Sequence, residues 1–206
     1  QNMITIIDYG IGNIKSVYNL LKKISIECQI SSDYDIISKS SSLILPGVGS
    51  FLAGITKLHD KKIDKAISNA LGNQSKLLGI CLGMAMLFDH SEEDNCEGLK
   101  IINGNVKRFS SEDLNFKVPH MGWNTVKFQK FSRLKFKIKD RELIKFYFAH
   151  SYYAECKDNV NLAGITNYSH EFCSIVEKNN IFGVQFHPEK SHIFGMELMK
   201  KFNEIK

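Results

Sequence analysis

The chain has 206 residues, of which 43% are hydrophobic, and its formal net charge is +5. This length and apolar content predict one domain with a single sizeable core, over residues 3–206. The positive charge comes from lysines scattered along the chain, without an arginine-rich block, so we expect no nucleic-acid partner. No apolar run approaches the roughly 20 residues that a membrane-spanning helix needs, so we expect no membrane association.

The amino terminus and the cysteines indicate a protein of the reducing cytoplasm. No signal peptide precedes Met3, and Gln1 and Asn2 are interpreted as a remnant of expression. The cysteines are odd in number and form no CxxC pair, which disfavours a disulfide framework and a structural zinc site; they are Cys28, Cys81, Cys96, Cys156 and Cys173. We expect a cytoplasmic protein that uses no metal and no organic cofactor.

The first half of the chain predicts buried parallel strands that alternate with helices. Residues 4–7 form a short apolar run that ends at a glycine turn, after which apolar residues recur at helical spacing; these are Val17, Leu20, Leu21 and Ile24. Two more apolar runs, at 42–45 and 76–80, also end in glycine-rich sequence. Such runs are typical of strands buried on both faces of a parallel sheet, so we predict an α/β fold.

Beyond Leu99 the pattern changes to shorter β-like segments that are separated by polar turns. We predict that these segments add antiparallel strands to the central sheet. Between Phe194 and Ile205 the apolar residues recur at helical spacing on one side, namely Phe194, Leu198, Met199 and Phe202. This pattern predicts a one-sided helix that closes the domain.

A cysteine between two glycines is the first candidate for catalytic chemistry. Cys81 lies in Gly79-Ile80-Cys81-Leu82-Gly83, at the end of the apolar run 76–80. Glycines at these positions suit a sharp strand-to-helix turn, because side chains there would clash where the backbone bends to expose the sulfur. A free cysteine is usually a buried apolar residue, and the other cysteines are interpreted in that way.

A motif far downstream supplies a base and a carboxylate. It reads His187-Pro188-Glu189. Pro188 biases His187 toward extended backbone, and side chains i and i+2 of an extended chain lie on one face. We therefore predict that Cys81, His187 and Glu189 form a catalytic triad of thiol, imidazole and carboxylate.

Glycine-rich loops follow the first apolar runs. Gly10-Ile11-Gly12 lacks the third glycine of a dinucleotide-binding loop, because Lys15 stands at that position, so we reject that reading. Pro46-Gly47-Val48-Gly49 follows a strand whose carboxyl end is predicted to lie at the same sheet edge as the cysteine. We predict that the backbone amides of Val48 and Leu82 are the donors of an oxyanion hole.

Six motifs together resemble a known enzyme family. The cysteine and His-Pro-Glu motifs are shared by the class I, or triad, glutamine amidotransferases, and the other motifs are similar to the glutaminase (HisH-type) subunits of imidazole glycerol phosphate synthase. The resemblance runs from Met3 to the end of the chain and implies a flavodoxin-like α/β glutamine amidotransferase domain. The motifs are Asp8-Tyr9-Gly10-Ile11-Gly12-Asn13, Pro46-Gly47-Val48-Gly49-Ser50-Phe51, Gly79-Ile80-Cys81-Leu82-Gly83-Met84, Pro119-His120-Met121-Gly122-Trp123-Asn124, His150-Ser151-Tyr152 and Phe186-His187-Pro188-Glu189-Lys190-Ser191.

The resemblance implies a reaction. Cys81 would attack the side-chain amide of L-glutamine, His187 would pass a proton to the departing ammonia, and Glu189 would hold the imidazole. The products would be glutamate and ammonia, formed through a cysteine thioester. A cysteine peptidase or a chaperone of the same broad fold is a rival interpretation, but a histidine commonly follows the nucleophile there and Leu82 does here.

The resemblance also implies how the substrate is held. Glu93 matches the acid that pairs with the ammonium group of glutamine. Ser151 and Tyr152 match positions that contact the substrate backbone, and Gly49 lies beside it. One position departs from the family, which commonly has glutamine after Gly-Met in the nucleophile helix, whereas this chain has Ala85. The departure leaves the triad intact and bears on the affinity for glutamine or on the identity of the partner.

The resemblance further implies a partner. Asn13, Trp123 and Lys190 match positions that face a HisF-type cyclase subunit, a (β/α)8 barrel, in a heterodimer. That subunit receives ammonia and makes imidazole glycerol phosphate and aminoimidazole carboxamide ribotide (AICAR) in histidine biosynthesis. Two alternatives stay open at the level of sequence: a paralogous glutaminase subunit of a sugar-amidinating synthase, and a non-catalytic scaffold subunit, which the complete triad disfavours.

Overall fold

The computed structural model describes residues 3–110, 116–140 and 143–206. Gln1 and Asn2, interpreted above as a remnant of expression, lie outside the described residues. The helices of these ranges are α1 (Ile14–Lys23), α2 (Tyr34–Lys39), α3 (Phe51–Asp60), α4 (Ile63–Gly72), α5 (Leu82–Ala85) and α6 (His192–Glu204). Short 3₁₀ turns cover Glu93–Asn95, Asn159–Asn161 and Pro188–Lys190. None of the helices described has both the length and the apolar character that crossing a bilayer requires.

The strands divide between a large mixed sheet and a small antiparallel one. They are β1 (Ile4–Ile7), β2 (Cys28–Ser31), β3 (Ser42–Leu45), β4 (Lys76–Ile80), β5 (Phe88–Ser91), β6 (Cys96–Glu97), β7 (Ile102–Arg108), β8 (His120–Thr125), β9 (Lys127–Phe128), β10 (Lys145–His150), β11 (Tyr152–Cys156), β12 (Leu162–Tyr168), β13 (His170–Lys178) and β14 (Ile181–Val184). Within the described ranges, β8 and β10 form the small sheet and the other strands form the large one.

The amino-terminal half builds the parallel core that its apolar runs predict. The strands run in the order β2, β1, β3, β4 and β14, and each neighbouring pair is parallel. Strand β14 comes from the far end of the chain and places Val184 opposite Ile80. Because Cys81 follows Ile80 and His187 lies shortly after Val184, this one pairing brings the two catalytic candidates to the same sheet edge.

The second half of the chain adds the antiparallel strands that its short apolar segments predict. Strand β13 pairs antiparallel with β14, β11 and β12, and β11 pairs antiparallel with β7. The pairings of β5 with β7 and of β14 with β4 are parallel and depart from that expectation. Among the described residues, strands β8 and β10 do not join the central sheet, so the expectation that the later segments extend it is wrong for these two. They run antiparallel in the small sheet, with His120 opposite His150.

The central sheet is buried on both faces. Ile44 and Leu78 belong to one apolar cluster, whereas their strand neighbours Leu43 and Leu77 belong to the other. This division follows from the geometry of a strand, because successive side chains point to opposite faces. Helices α3 and α4 supply the second cluster with apolar residues, and the closing helix α6 supplies the first.

Helix α6 confirms the predicted one-sided helix. Its apolar residues Phe194, Leu198, Met199 and Phe202 are buried. The helix end is held by Lys76, a buried lysine of β4 whose Nζ donates to the carbonyl oxygens of Phe202 and Asn203, each at 3.0 Å. The last carbonyls of a helix have no partner within the helix, so this ammonium group stabilises the contact between α6 and the sheet. Burial lowers the pKa of Lys76.

Candidate active site

Cys81 sits at a strained turn between β4 and α5. Its φ and ψ are 54° and −109°, a conformation in which an L-residue is strained. The flanking glycines are required by close approach of the backbone. A Cβ at Gly83 would overlap the carbonyl oxygen of Leu45, and a Cβ at Gly79 would lie 2.7 Å from the carbonyl group of Gly83. The steric reason expected for Gly79 and Gly83 is therefore confirmed.

The structure brings the three predicted triad residues together. Cys81 lies close enough to His187 to raise the pKa of the imidazole, and His187 Nδ1 lies 2.8 Å from Glu189 Oε1. All three side chains are buried. His187 has the extended backbone that Pro188 favours, but Glu189 lies in the 3₁₀ turn Pro188–Lys190. The carboxylate therefore reaches the imidazole through a tight turn, and the expected sharing of one strand face is wrong.

The electrostatics of the triad favour a charged pair. Burial alone lowers the pKa of His187, but hydrogen bonds to Cys81 and Glu189, together with their charges, raise it from 6.5 to about 10. Burial alone raises the pKa of Glu189, but the hydrogen bond and the charge of His187 outweigh burial and lower it. The favoured state is an imidazolium between a carboxylate and the cysteine sulfur.

Two contacts of the triad were not predicted from the sequence. Asn13 Nδ2 donates to Glu189 Oε1 at 3.1 Å, so Asn13, predicted to face a partner, also holds the triad carboxylate. Gln185 Nε2 donates to Cys81 Sγ at 3.8 Å. The alternation of a strand could have indicated Gln185, because it lies two residues before His187 and extended residues at that spacing share a face.

A cavity of about 450 Å³ opens above the cysteine. Its lining includes every residue that was predicted to bind substrate or to form the oxyanion hole, together with Ala85, the position that departs from the family. The residues concerned are Val48, Gly49, Cys81, Leu82, Ala85, Glu93, Ser151 and Tyr152. His150 and Gln185 also line the cavity and were not predicted from the sequence as binding residues.

The oxyanion donors do not converge in this conformation. The amide of Leu82 donates to the carbonyl oxygen of Gly47 at 3.3 Å. The C=O and N–H of a trans peptide point in opposite directions, so the N–H of Val48, in the same peptide as that carbonyl, points away from Leu82. Gly49 has φ of 95° and nothing within 4 Å of the position of a Cβ, so the loop has room to change its conformation.

Glu93 stands at the wall of the cavity, in the 3₁₀ turn Glu93–Asn95. Its Oε2 accepts a hydrogen bond from the amide of Phe51 at 3.2 Å. Burial raises the pKa of Glu93, the Phe51 amide opposes this, and the neighbouring Asp94 adds to it. One oxygen is thus fixed to the start of α3, and the carboxylate can accept further hydrogen bonds.

The residues predicted to face a partner lie outside the cavity. Trp123 is 46% exposed and stacks on His192 at 5.7 Å between ring centroids. Tyr147 links it to Lys190, because its ring lies 6.3 Å from the ring of Trp123 and 5.8 Å below Lys190 Nζ. We call the surface formed by Trp123, Tyr147, Lys190 and His192 the tryptophan face. Asn13 is linked to it by way of Glu189.

No group of three or more His, Cys, Asp or Glu side chains in the described parts of the chain is placed to hold a metal ion.

The family model for class-I glutamine amidotransferases matches residues 5–204 of this chain. One relative, imidazole glycerol phosphate synthase subunit HisH 2 of Methanococcus maripaludis, is 49% identical over 203 residues, which are 97% of this chain and 98% of the relative. Another, imidazole glycerol phosphate synthase subunit HisH of Bacillus cereus, is 39% identical over 204 residues, which are 98% of this chain and 95% of the relative.

Solved structures with the same fold are much less similar in sequence. A crystal structure of glutamine amidotransferase has a TM-score of 0.75 at 14% identity, and the match covers 97% of both chains. PurLQS from Thermotoga maritima has a TM-score of 0.73 at 18% identity, over 98% of both chains. These matches confirm the predicted α/β fold. The family model and the sequence relatives show that the chain belongs to the class-I glutamine amidotransferase family.

Proposed function

We propose that the chain, as one domain over residues 3–206, is the glutaminase subunit of an imidazole glycerol phosphate synthase and works in the cytoplasm. It hydrolyses L-glutamine and passes the ammonia to a cyclase subunit. The observation that carries the proposal is the buried Cys81–His187–Glu189 triad beneath a cavity of about 450 Å³. The 49% identity to a HisH subunit over nearly the full length supports the choice of synthase.

The triad supports acyl transfer to the cysteine. The sulfur of Cys81 attacks the amide carbon of glutamine while the proton of the thiol rests on His187, whose raised pKa favours the imidazolium. Collapse of the tetrahedral adduct breaks the C–N bond, His187 gives its proton to the leaving nitrogen, and ammonia departs. Water, deprotonated by the same imidazole, then hydrolyses the thioester to glutamate and restores the thiol. Glu189 compensates the charge on His187 in each step.

The cavity wall supports binding of an amino acid. Glu93 is proposed to pair with the ammonium group of glutamine, and the segment Ser151–Tyr152 to contact its backbone. Gly49 lines the same cavity and is proposed to lie beside the backbone of the bound glutamine. Ala85 leaves space where a longer side chain would narrow the pocket.

The loop after β3 supports a gate. The hydrogen bond from Leu82 to Gly47 occupies one expected oxyanion donor and turns away the other, which is the amide of Val48. Rotation of the Gly47–Val48 peptide would free the Leu82 amide and aim Val48 at the oxyanion. We propose that docking of a HisF-type (β/α)8-barrel subunit on the tryptophan face, in a heterodimer, favours the rotated peptide.

The test is to separate the use of glutamine from the use of ammonia. Cys81→Ala, in complex with a HisF-type cyclase, is expected to lose glutamine-dependent synthesis by several orders of magnitude. It is expected to keep synthesis from ammonium salts, because that chemistry belongs to the partner. The measurement is the rate of imidazole glycerol phosphate formation with each nitrogen source, with the unsubstituted complex as the control. Loss of the ammonia-dependent reaction in Cys81→Ala, or no glutamine hydrolysis by the unsubstituted complex, would contradict the proposal.

A further inference from the structure

A pair of buried histidines, one of which lines the cavity, has no part in the reaction described above. His120 and His150 face each other across β8 and β10 and are 3% and 7% exposed. Their ring nitrogens, Nδ1 of His120 and Nε2 of His150, are 2.9 Å apart. A neutral imidazole has one donor and one acceptor, so the direction of this hydrogen bond depends on what each ring contacts on its other side.

Asn124 sets the direction at one end. Its Oδ1 accepts a hydrogen bond from the amide of Thr125 at 2.7 Å, and its Nδ2 donates to the carbonyl oxygen of Asn167 at 3.0 Å. These two contacts fix the orientation of the side-chain amide, because exchanging O and N would pair acceptor with acceptor. The same Nδ2 lies 3.2 Å from His120 Nε2. An amide nitrogen only donates, so His120 Nε2 is an acceptor.

The remaining bonds follow in the same direction. Since His120 accepts at Nε2, its proton is on Nδ1 and is donated to His150 Nε2. His150 then carries its own proton on Nδ1, which donates to the carbonyl oxygen of Tyr152 at 2.7 Å. Burial keeps both rings neutral, because it lowers the pKa of His120 to about 4 and that of His150 to about 3. The titratable groups that face the pair are Tyr168, stacked on His120, and His187, whose charge also lowers the pKa of His150.

One end of this hydrogen-bond chain lies beside the tryptophan face, and the other lies at the wall of the cavity. Asn124 follows Trp123 of the tryptophan face on strand β8. At the other end, His150, Ser151 and Tyr152 all line the cavity. The Tyr152 carbonyl that ends the hydrogen-bond chain belongs to the segment proposed to contact the backbone of glutamine. The hydrogen bonds thus run from strand β8 of the small sheet to the wall that is proposed to bind glutamine.

We propose that Asn124, His120 and His150 are positioning residues, which hold the Ser151–Tyr152 wall in its glutamine-binding conformation through a hydrogen-bond chain of fixed direction. The inference rests on the proposed function, because it assigns the wall to glutamine. A loss of the hydrogen-bond chain is therefore expected to weaken glutamine binding. It is not expected to affect the partner's use of free ammonia.

The sharpest test is Asn124→Asp, which keeps the shape of the side chain and replaces the donor by an acceptor. A neutral His120 can then meet the carboxylate only by moving its proton to Nε2. His150 would follow, and two acceptors would face each other at Tyr152. At about pH 8 we expect the KM for glutamine in the complex to rise about tenfold, as for a lost buried hydrogen bond, with ammonia-dependent synthesis unchanged.

Lower pH should reverse this effect. The carboxylate introduced by Asn124→Asp raises the pKa of His120, and an imidazolium donates from both nitrogens, which restores the bonds to His150 and Tyr152. We expect the KM of Asn124→Asp to return toward the parent value near about pH 6. Asn167→Asp is the matched control, because it adds the same charge on the exposed side chain of Asn167, whose backbone carbonyl alone contacts the hydrogen-bond chain.

A second pair of variants distinguishes loss of the hydrogen bond from a folding defect. His150→Leu removes the donor to Tyr152, whereas His150→Asn has an amide nitrogen at the position of Nδ1 and is expected to recover most of the glutamine affinity. The inference fails if Asn124→Asp has an unchanged KM, or if its ammonia-dependent synthesis falls in parallel. If instead the unsubstituted complex does not hydrolyse glutamine, the proposed function itself fails.

Discussion

Each residue of the triad is held by a different part of the fold. The turn between β4 and α5 holds Cys81 with a strained backbone. His187 is fixed by its amide, which donates to the carbonyl of Tyr147 at 2.9 Å, and Glu189 is fixed by His187 and Asn13. A buried charged pair of this kind stabilises the protein only while both partners keep their charge.

The His187–Glu189 pair predicts a stability that depends on pH. The pKa of His187 is raised from 6.5 to about 10. Between these values only the folded state binds the proton, so the contribution of His187 to stability is complete below about 6.5 and is lost as the pH rises toward 10. The pKa of Glu189 is lowered from 4.5, so its contribution is present above that value and is lost as the pH falls below it.

Chemical denaturation of the parent and of His187→Gln as a function of pH measures this effect. The advantage of the parent in free energy of unfolding is expected to shrink between pH 6.5 and about 10, the ordinary and the raised pKa of His187. A difference that stays constant across this interval would show that the pKa of His187 is not raised by folding.

Replacement of Ala85 by a longer side chain is predicted to raise the affinity of the site for glutamine. Its side chain lines the cavity, at the position where the family resemblance implies a glutamine, so Ala85→Gln is expected to lower the KM for glutamine with little change in kcat, the result of improved uniform binding. Steady-state kinetics of the complex measure both constants. An unchanged KM, or a fall in kcat, would mean that the pocket does not need a longer side chain there.

At the scale of elements, the site depends on how closely the backbones of β3, β4 and α5 approach. The first turn of α5 packs against the end of β3, where Leu45 lies, and only a glycine leaves room for that contact. The parallel pairing of β4 with β14 then sets Cys81 beside the His187 segment. Packing of this density tolerates no added methyl group without movement of the backbone.

Gly83→Ala is therefore expected to destabilise the protein by about 3 kcal/mol, at the upper end of overpacking, because the clash is with backbone. The activity should fall with it, since any relief moves the nucleophile turn. Gly72→Ala, at the end of α4, is the control, because nothing lies within 4 Å of the added Cβ. Thermal or urea unfolding compares the two. Equal stability of both variants would contradict the role of close approach at Gly83.

At the scale of the whole molecule, the chain holds a formed triad beside an unformed oxyanion hole. The Gly47 carbonyl accepts the hydrogen bond of the Leu82 amide, while the tryptophan face exposes its aromatic ring outside the cavity. A subunit that hydrolysed glutamine alone would release ammonia without an acceptor. The arrangement favours a glutaminase that is switched on by assembly.

The isolated chain is accordingly expected to be a poor glutaminase, and addition of the cyclase should raise kcat by about a hundred- to a thousandfold, the effect of one oxyanion donor. Glutamate release should be measured for the subunit alone, with the barrel subunit, and with the barrel subunit plus the acceptor nucleotide. Full activity of the subunit alone would contradict the proposed gate, but it would be consistent with the proposed triad.

Local sequence was sufficient for strands β1, β3 and β4, for the closing helix and for naming the candidate triad residues. Short apolar runs that end in glycine specify buried parallel strands, because strand burial and turn geometry are properties of neighbouring residues. The spacing of Phe194, Leu198, Met199 and Phe202 was sufficient for α6 for the same reason. The Gly-x-Cys-x-Gly and His-Pro-Glu motifs each lie within a few residues, so the proposed nucleophile, base and carboxylate could be named before their proximity was known.

Only the tertiary structure decided the contacts between distant segments. The bond from Asn13 to Glu189 spans 176 residues, and the hydrogen-bond chain from Asn124 to Tyr152 passes between two strands. Likewise, the orientation of the Gly47–Val48 peptide depends on the Leu82 amide, which belongs to another element. Hydrogen bonds of this kind depend on the relative placement of whole strands to within a fraction of an ångström. Local patterns of sequence do not encode that placement.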